Sequence, residues 1–296
     1  MNKTTFRLWW LAARPKTLTI TLSPIMCAAV LAYDLNDSVN ILTLVSIFFS
    51  GLLIQIGTNL YNDAADFERG ADGEARLGPE RVTAQGWLSA SAVKQGALIS
   101  FLLAFVCGIY LAFIGGLPII VLGLAAIISG YAYTGGPKPI AYSPFGELFV
   151  IVFFGIAALA GSYYLLTLNY TVNLLFVGLA LGSFAAAILL VNNYRDLDND
   201  TKANKITLVY YLGRKNSRTL FTALVVIPYL LLTVSYLFTD HGWAYILFPM
   251  LSLPLAFNLI KEFYTTPVSK ALNLILIKTA KLQLFYAVLF SFGVLL

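Results

Sequence analysis

Long apolar runs without charge recur along this chain and limit its possible folds more than any other feature. One of them, SIFFSGLLIQIG at positions 46–57, is typical. About 20 apolar residues suffice for a helix to span the hydrocarbon core of a bilayer. Only 11% of the residues are charged, against roughly 25% in soluble domains. The sequence therefore predicts an all-α, multi-spanning membrane protein with a single domain, residues 1–296.

Polar breaks between the apolar runs divide the chain into about nine predicted spans. The predicted spans cover residues 17–33, 41–62, 92–114, 117–134, 145–167, 172–194, 219–238, 243–260 and 278–296. Only Gly115 and Gly116 separate the third span from the fourth. Two longer polar segments, 63–91 and 195–218, are predicted to be loops on the same side of the membrane.

The positive charges support this topology. If the N-terminus is cytoplasmic, all 19 Lys and Arg residues fall in segments on the cytoplasmic side, as the positive-inside rule requires. The net charge of +5 therefore reflects topology and does not indicate nucleic-acid binding. It is also compatible with an anionic ligand. We expect a bacterial cytoplasmic membrane protein. With one histidine and two cysteines, both in apolar runs, a disulfide or a histidine-based metal site is not expected.

The stretch NLYNDAADFERGAD, residues 59–72, places a cluster of polar groups where the second span ends. Asn59, Asn62, Asp63 and Asp66 follow one another at i, i+3, i+4 and i+7, which puts them on one face of a helix. Acidic residues are disfavoured at a helix C-terminus by the macrodipole, and the cytoplasmic interface normally prefers Lys and Arg. The cluster therefore indicates a function.

A second cluster, NNYRDLDND at 192–200, ends the sixth predicted span on the same side. Asn193, Asp196 and Asp200 share one helical face, whereas Asp198 points elsewhere and is expected to be solvated. So many carboxylates would repel one another unless a divalent cation lay between them. Mg²⁺ typically binds one or two carboxylates together with substrate phosphates. The two motifs predict a metal-bridged phosphate or diphosphate site at the cytoplasmic mouth of the bundle.

Cations in the cytoplasmic segments fit the same ligand. Arg81 lies in GPERVTAQG and Lys138 in YTGGPKP, two loops rich in Gly or Pro. Such loops adopt specific conformations, so these two cations are candidate diphosphate ligands. Glu147, at the start of the fifth span, is close enough in sequence to the second loop to help shape the site.

Several local patterns resemble the intramembrane prenyltransferases of the UbiA type. Besides the two acidic motifs, these are RPKTL at 14–18, GPERVTAQGWLS at 78–89, YTGGPKPIAYSPFGELFV at 133–150, and KANKITL after the second motif. They occur in the family's order over nearly the whole chain. Within that family, they look like the branch that prenylates 1,4-dihydroxy-2-naphthoate.

The resemblance implies a nine-helix bundle around a central cavity, with Mg²⁺ held by both motifs against a polyprenyl diphosphate. Carried over to this sequence, the catalytic residues are Asp63, Asp66, Asp196 and Asp200, and Asn59 joins them as a metal ligand. The implied substrate-binding residues are Asn59, Asn62, Arg81, Tyr133, Lys138, Asn193 and Lys205. The implied reaction transfers the polyprenyl group to 1,4-dihydroxy-2-naphthoate with loss of CO₂, as in menaquinone or phylloquinone biosynthesis.

Two alternatives stay open at this point. The acceptor could be 4-hydroxybenzoate, homogentisate, a haem or a chlorophyllide, because the acidic motifs would be shared and only the acceptor pocket would differ. A transporter with intramembrane carboxylates is the alternative from another class. Transport residues usually lie near mid-span, whereas the acids here lie at the cytoplasmic ends, which favours the enzyme.

Overall fold

The computed structural model of the protein describes residues 4–71 and 76–296. Lys3, one of the 19 cations, and Asp72, the last residue of the stretch 59–72, lie outside these ranges. The helices are α1 Thr5–Ala13, α2 Thr19–Asn36, α3 Ile41–Glu68, α4 Ala90–Ala132, α5 Gly146–Ile151, α6 Ala158–Thr167, α7 Asn173–Lys202, α8 Leu208–Tyr236, α9 Ala244–Met250, α10 Leu253–Thr265 and α11 Leu272–Leu295. A π-helical stretch, Val152–Ala157, joins α5 to α6. Within the described ranges the ordered elements are all helical, as predicted.

Eight helical segments of the described chain are long and apolar enough to cross a membrane. One of them, α4, has 43 residues, about 65 Å at 1.5 Å per residue, which is twice the ~30 Å hydrocarbon core. It is divided at Gly116, whose φ of 62° and ψ of −151° are not helical and favour glycine. Counting the two arms separately gives nine crossings in the described chain, which confirms the predicted number.

The predicted long loop 195–218 is wrong. Helix α7 continues to Lys202 and α8 begins at Leu208, with a break at Gly213 (φ 67°, ψ 171°), so most of this segment is helical and residues 203–207 connect the two helices. Helix α3 likewise continues to Glu68, six residues beyond its predicted span. The apolar pattern ends where the membrane ends, but a helix can continue into water when its polar face finds partners there. Both acidic motifs therefore lie on regular helix, which gives them a fixed geometry.

Helix α7 forms the centre of the bundle and α4 its periphery. In their most apolar windows, 78% of α7 is buried, against 17% of α4. Small residues let α7 approach the π-helical stretch closely, because a Cβ on Gly155 would lie 2.2 Å from the carbonyl oxygen of Gly178. Close backbone approach at small residues is a common way for membrane helices to pack. The central position of α7 fixes the second acidic motif relative to the first.

Candidate active site

A cavity of about 760 Å³ runs into the bundle from the end where α3 and α7 carry the acidic motifs. Its walls are mostly apolar and come from α2, α3, both arms of α4, the α5–α6 segment and α7. The polar residues at its mouth are Arg14, Asn59, Asn62, Asp66, Arg81, Tyr133, Asn192, Asn193 and Lys205. The cavity thus joins an apolar channel to a highly charged mouth.

The first motif presents Asn59, Asn62 and Asp66 to the cavity. Asn62 Oδ1 accepts hydrogen bonds from Nη2 of Arg14 at 3.1 Å and Nη2 of Arg81 at 2.9 Å. Asp66 pairs with Arg81 at 3.2 Å and accepts from the Tyr142 hydroxyl at 3.0 Å. The predicted helical face therefore exists, and two guanidinium groups converge on it.

Asp63 belongs to the same motif, but its carboxylate contacts the backbone of the loop that carries Arg81. It is 2% exposed, and its carboxylate accepts from the backbone N–H groups of Val82 at 3.3 Å and Thr83 at 3.1 Å. The Thr83 hydroxyl donates to the same carboxylate. Asp63 is not among the described residues that line the cavity, and neither are Asp196 and Asp200 of the second motif. The Asp63 carboxylate is thus occupied by the loop that carries Arg81.

The second motif is held by a buried arginine. Arg195 is 1% exposed and makes a paired hydrogen bond to Asp196, with Nε 2.8 Å from Oδ1. It also donates to Asn192 at 2.8 Å and to Asn273 of α11 at 2.6 Å. Asn273 in turn donates to the Leu77 carbonyl. Arg195 therefore neutralises Asp196 and ties α7, α11 and the loop after the first motif together.

Asp200 pairs with Lys205 at 3.2 Å. Burial alone lowers the pKa of Lys205, but the nearby charges of Asp200, Asp66 and Asp196 raise it above its usual value. Lys205 is therefore charged, and it feels the carboxylates of both motifs. It also lies 5.8 Å from the centre of the Tyr142 ring. The structure thus brings carboxylates of both motifs close to one cation, Lys205, and the shared metal site stays a prediction.

Of the remaining predicted residues, two line the cavity and Lys138 does not. Tyr133 and Asn193 line the cavity, and Asn193 Nδ2 donates to Glu147 Oε1 at 2.9 Å. Lys138 is exposed and lies outside the set of described residues that line the cavity. Asp198 is exposed and pairs with Arg214, as its position on the helix predicted.

Sequence reasoning missed Arg14 and Tyr142 as site residues. Arg14 adopts a left-handed backbone conformation, φ 55°, which costs a non-glycine residue energy and often marks a functional position. Burial raises the pKa of Tyr142 well above its usual value. The negative charge of Asp66 and the hydrogen bond to the Asp66 carboxylate raise this pKa further. The RPKTL pattern could have indicated Arg14, but the position of Tyr142 depends on how the 140–142 turn folds.

The donor atoms fit a divalent cation that arrives with a phosphate ligand. Carboxylate and amide oxygens are hard donors of the kind that Mg²⁺ binds. Asp200 Oδ2 is buried 3.2 Å from Lys205 Nζ, and no described residue donates a well-aligned hydrogen bond to it. Within residues 4–71 and 76–296, no three His, Cys, Asp or Glu side chains are grouped closely enough to hold a metal by themselves. Oxygens of a diphosphate would therefore have to complete the coordination.

Replacing Arg195 by methionine tests the buried ion pair. Arg195→Met leaves the Asp196 carboxylate buried without its partner, which should lower the free energy of unfolding by about 3–5 kcal/mol. The matched control is Asp198→Asn, which removes an exposed ion pair on the same helix and should cost less than ~1 kcal/mol. Thermal unfolding in detergent measures both. Equal melting temperatures for the two variants would contradict the structural role of Arg195.

Comparison with known proteins gives the chain a family. Residues 21–289 match the UbiA prenyltransferase family. A 1,4-dihydroxy-2-naphthoate octaprenyltransferase from Haemophilus influenzae is 32% identical over 98% of this chain and 96% of its own length. The protein of that name from Bacillus subtilis is 31% identical over 97% of this chain and 92% of its own length.

A solved structure agrees in fold. A UbiA homologue from Archaeoglobus fulgidus, bound to DMAPP and Mg²⁺, superposes with a TM-score of 0.69 at 15% identity, over 96% of this chain and 99% of that one. At this identity the likeness concerns the fold alone, whereas the sequence match covers most of the chain. The chain belongs to the UbiA prenyltransferase family.

Proposed function

We propose that the protein transfers a polyprenyl group from a polyprenyl diphosphate to 1,4-dihydroxy-2-naphthoate, with loss of CO₂ and dependence on Mg²⁺. The observation that carries the proposal is the apolar cavity whose mouth is lined by residues of both motifs, among them Asp66 and Asn193, and by the cations Arg14, Arg81 and Lys205. A prenyl diphosphate has the same division into an apolar tail and a charged head. The names of the relatives from Haemophilus influenzae and Bacillus subtilis support the naphthoate acceptor.

The cations at the mouth bind and orient the diphosphate. Arg14, Arg81 and Lys205 line the cavity and can donate charge-assisted hydrogen bonds to phosphate oxygens. Lys205 carries its charge because the surrounding carboxylates raise its pKa. These donors stabilise the negative charge that grows on the diphosphate as its bond to the prenyl carbon breaks. The residues proposed to act here are thus ligands of the leaving group.

Mg²⁺ would be held by oxygens of both motifs. Asn59 and Asp66 offer oxygen atoms from α3, and Asp200 offers a carboxylate from α7. Arg195 holds both oxygens of Asp196, so Asp196 could join them only by giving up that pairing. When bound, the metal supplies Lewis-acid stabilisation of the phosphate charge. The present pairing of Asp66 with Arg81 and of Asp200 with Lys205 keeps these carboxylates close to the expected position of the diphosphate.

The apolar walls protect the reacting prenyl cation from water. The electron pair of the breaking carbon–oxygen bond leaves with the diphosphate, and an allylic cation remains. The ring carbon of the naphthoate that carries the carboxylate then forms the new carbon–carbon bond. Loss of CO₂ from that carbon returns an electron pair to the ring and restores aromaticity. These bond changes balance without proton removal by a general base, which agrees with a cavity whose walls are mainly apolar.

We place the acidic mouth on the cytoplasmic side of a bacterial cytoplasmic membrane. The multi-pass character follows from the eight long apolar helical segments of the described chain. The orientation is supported by the 19 cations of the sequence, which all fall in segments on the side of the acidic motifs.

A product assay on membranes from a heterologous host tests the reaction. With a polyprenyl diphosphate, Mg²⁺ and 1,4-dihydroxy-2-naphthoate, we expect a decarboxylated prenyl-naphthol, detected by mass. EDTA, Asp66→Ala and Asp200→Ala should each lower its rate by about 100-fold or more, whereas Asp198→Asn, an exposed acid on the same helix, should retain activity. A product formed only from 4-hydroxybenzoate would overturn the acceptor, and no product from any aromatic acceptor would overturn the reaction.

A second prediction concerns the cavity as the site of the prenyl tail. Gly123 lines the cavity, and a Cβ placed there meets no atom within 4 Å. Gly123→Phe should therefore fill the channel and raise the KM for a long polyprenyl diphosphate by about 10-fold, with a smaller effect on dimethylallyl diphosphate. Val121→Phe adds the same ring at an exposed position of α4 and serves as the control. Equal effects on long and short substrates would place the tail elsewhere.

A further inference from the structure

The loop 81–87 is fixed to the first acidic motif through Asp63. The loop closes on itself, with the N–H of Gln85 donating to the Arg81 carbonyl and the N–H of Trp87 to the Val82 carbonyl. Its Val82 side chain is fully buried in a cluster with Leu60 and Ala64 of α3. Packing and backbone hydrogen bonds thus hold this loop in one conformation against the α3 helix.

Asp63 supplies the polar part of that attachment. Its two carboxylate oxygens accept from the consecutive N–H groups of Val82 and Thr83. The Thr83 hydroxyl donates to the carboxylate and lies 2.9 Å from the Asp63 carbonyl oxygen. Thr83 is 3% exposed. A carboxylate that accepts three hydrogen bonds in a buried position is satisfied by the protein itself and needs no metal to compensate it.

The residue immediately before this attachment is Arg81. Its Nη2 lies 2.9 Å from Asn62 Oδ1 and 3.2 Å from Asp66 Oδ2. Arg81 is 6% exposed and reaches the cavity mouth from the loop. The position of its guanidinium therefore depends on where the backbone at 82–83 is held, and Asp63 and Thr83 hold it.

We propose that Asp63 and Thr83 are positioning residues, which fix the 81–83 backbone so that Arg81 meets the diphosphate beside Asp66. The four acidic residues named from the sequence then divide by role, because Asp63 acts through Arg81 and does not touch the ligand. This inference rests on the proposed diphosphate site, and it adds Thr83, a residue outside both acidic motifs.

A double-mutant cycle tests this dependence on the full-length protein in detergent. The measured quantity is the Kd for inorganic pyrophosphate in saturating Mg²⁺, obtained by calorimetry. Thr83→Val removes only the hydroxyl hydrogen bond and should weaken binding by about 10-fold. In an Arg81→Gln background the same substitution should change the Kd by less than about 2-fold, because residues that act as a unit are not additive. Thr83→Ser keeps the hydroxyl and should restore the Kd to within about 3-fold of wild type.

Two controls separate positioning from a general loss of structure. Thr279→Val removes a buried hydroxyl that donates only to the Ile275 carbonyl of its own helix, and it should leave the Kd unchanged. Melting temperatures of all variants show whether each is folded. In the Arg81→Gln background, where the positioning effect on Arg81 is already lost, Asp63→Asn should leave the Mg²⁺ concentration for half-maximal pyrophosphate binding within about 3-fold of Arg81→Gln alone, because Asp63 is not assigned as a ligand.

Distinct results would overturn distinct claims. Equal effects of Thr83→Val in the Arg81 and Arg81→Gln backgrounds would mean that Thr83 is merely structural. A 10-fold or larger rise in the half-saturating Mg²⁺ when Asp63→Asn is added to Arg81→Gln would mean that Asp63 is a metal ligand. Either result overturns this inference and leaves the diphosphate site intact. Wild-type protein that binds no pyrophosphate would overturn the diphosphate site itself.

Discussion

Charge compensation at the mouth of an apolar bundle is the constraint on which the rest of this structure depends. Carboxylates in a buried position are costly unless a cation or several hydrogen bonds compensate them. Here Asp66 is paired with Arg81, Asp196 with Arg195 and Asp200 with Lys205. The cations also reach other elements, because Arg81 joins its loop to α3 and Arg195 donates to Asn273 of α11, so the residues that neutralise the acids also assemble the site.

The compensation is arranged differently for different acids, and this difference suggests their roles. Arg195 is enclosed by protein groups on every side that the structure describes, including Asn192 and Asn273. It neutralises its neighbour Asp196 on α7 and connects α7 to α11 through Asn273. Arg81 and Lys205 instead line the cavity. A ligand with negative charge can therefore bind these two cations and leave Asp66 and Asp200 available to a divalent metal. An exchange of this kind would couple metal binding to diphosphate binding.

Much of this architecture could be predicted from the sequence because membrane helices have a strong periodic signal. The apolar runs and the placement of Lys and Arg predicted the number of crossings. Helical spacing predicted one face for Asn59, Asn62, Asp63 and Asp66, and three of these line the cavity whereas Asp63 does not. The C-terminal end of α7 and the start of α8 could not be predicted, because both helices extend beyond the apolar region. The contacts of Asp63 with Val82 and Thr83 depend on a loop fold that no local pattern specifies, and Lys138 follows a turn that leaves it exposed.

The most direct test of the account is the thermodynamic coupling between metal and prenyl diphosphate in the purified protein. Calorimetric titration with geranyl thiolodiphosphate, a substrate analogue that resists cleavage, would be repeated over a range of Mg²⁺ concentrations. We predict that Mg²⁺ and the analogue each raise the affinity for the other by the same factor, as linkage requires. We also predict that Asp66→Ala or Asp200→Ala abolishes this coupling. Affinity for the analogue that is independent of Mg²⁺, or coupling that survives both substitutions, would contradict the account.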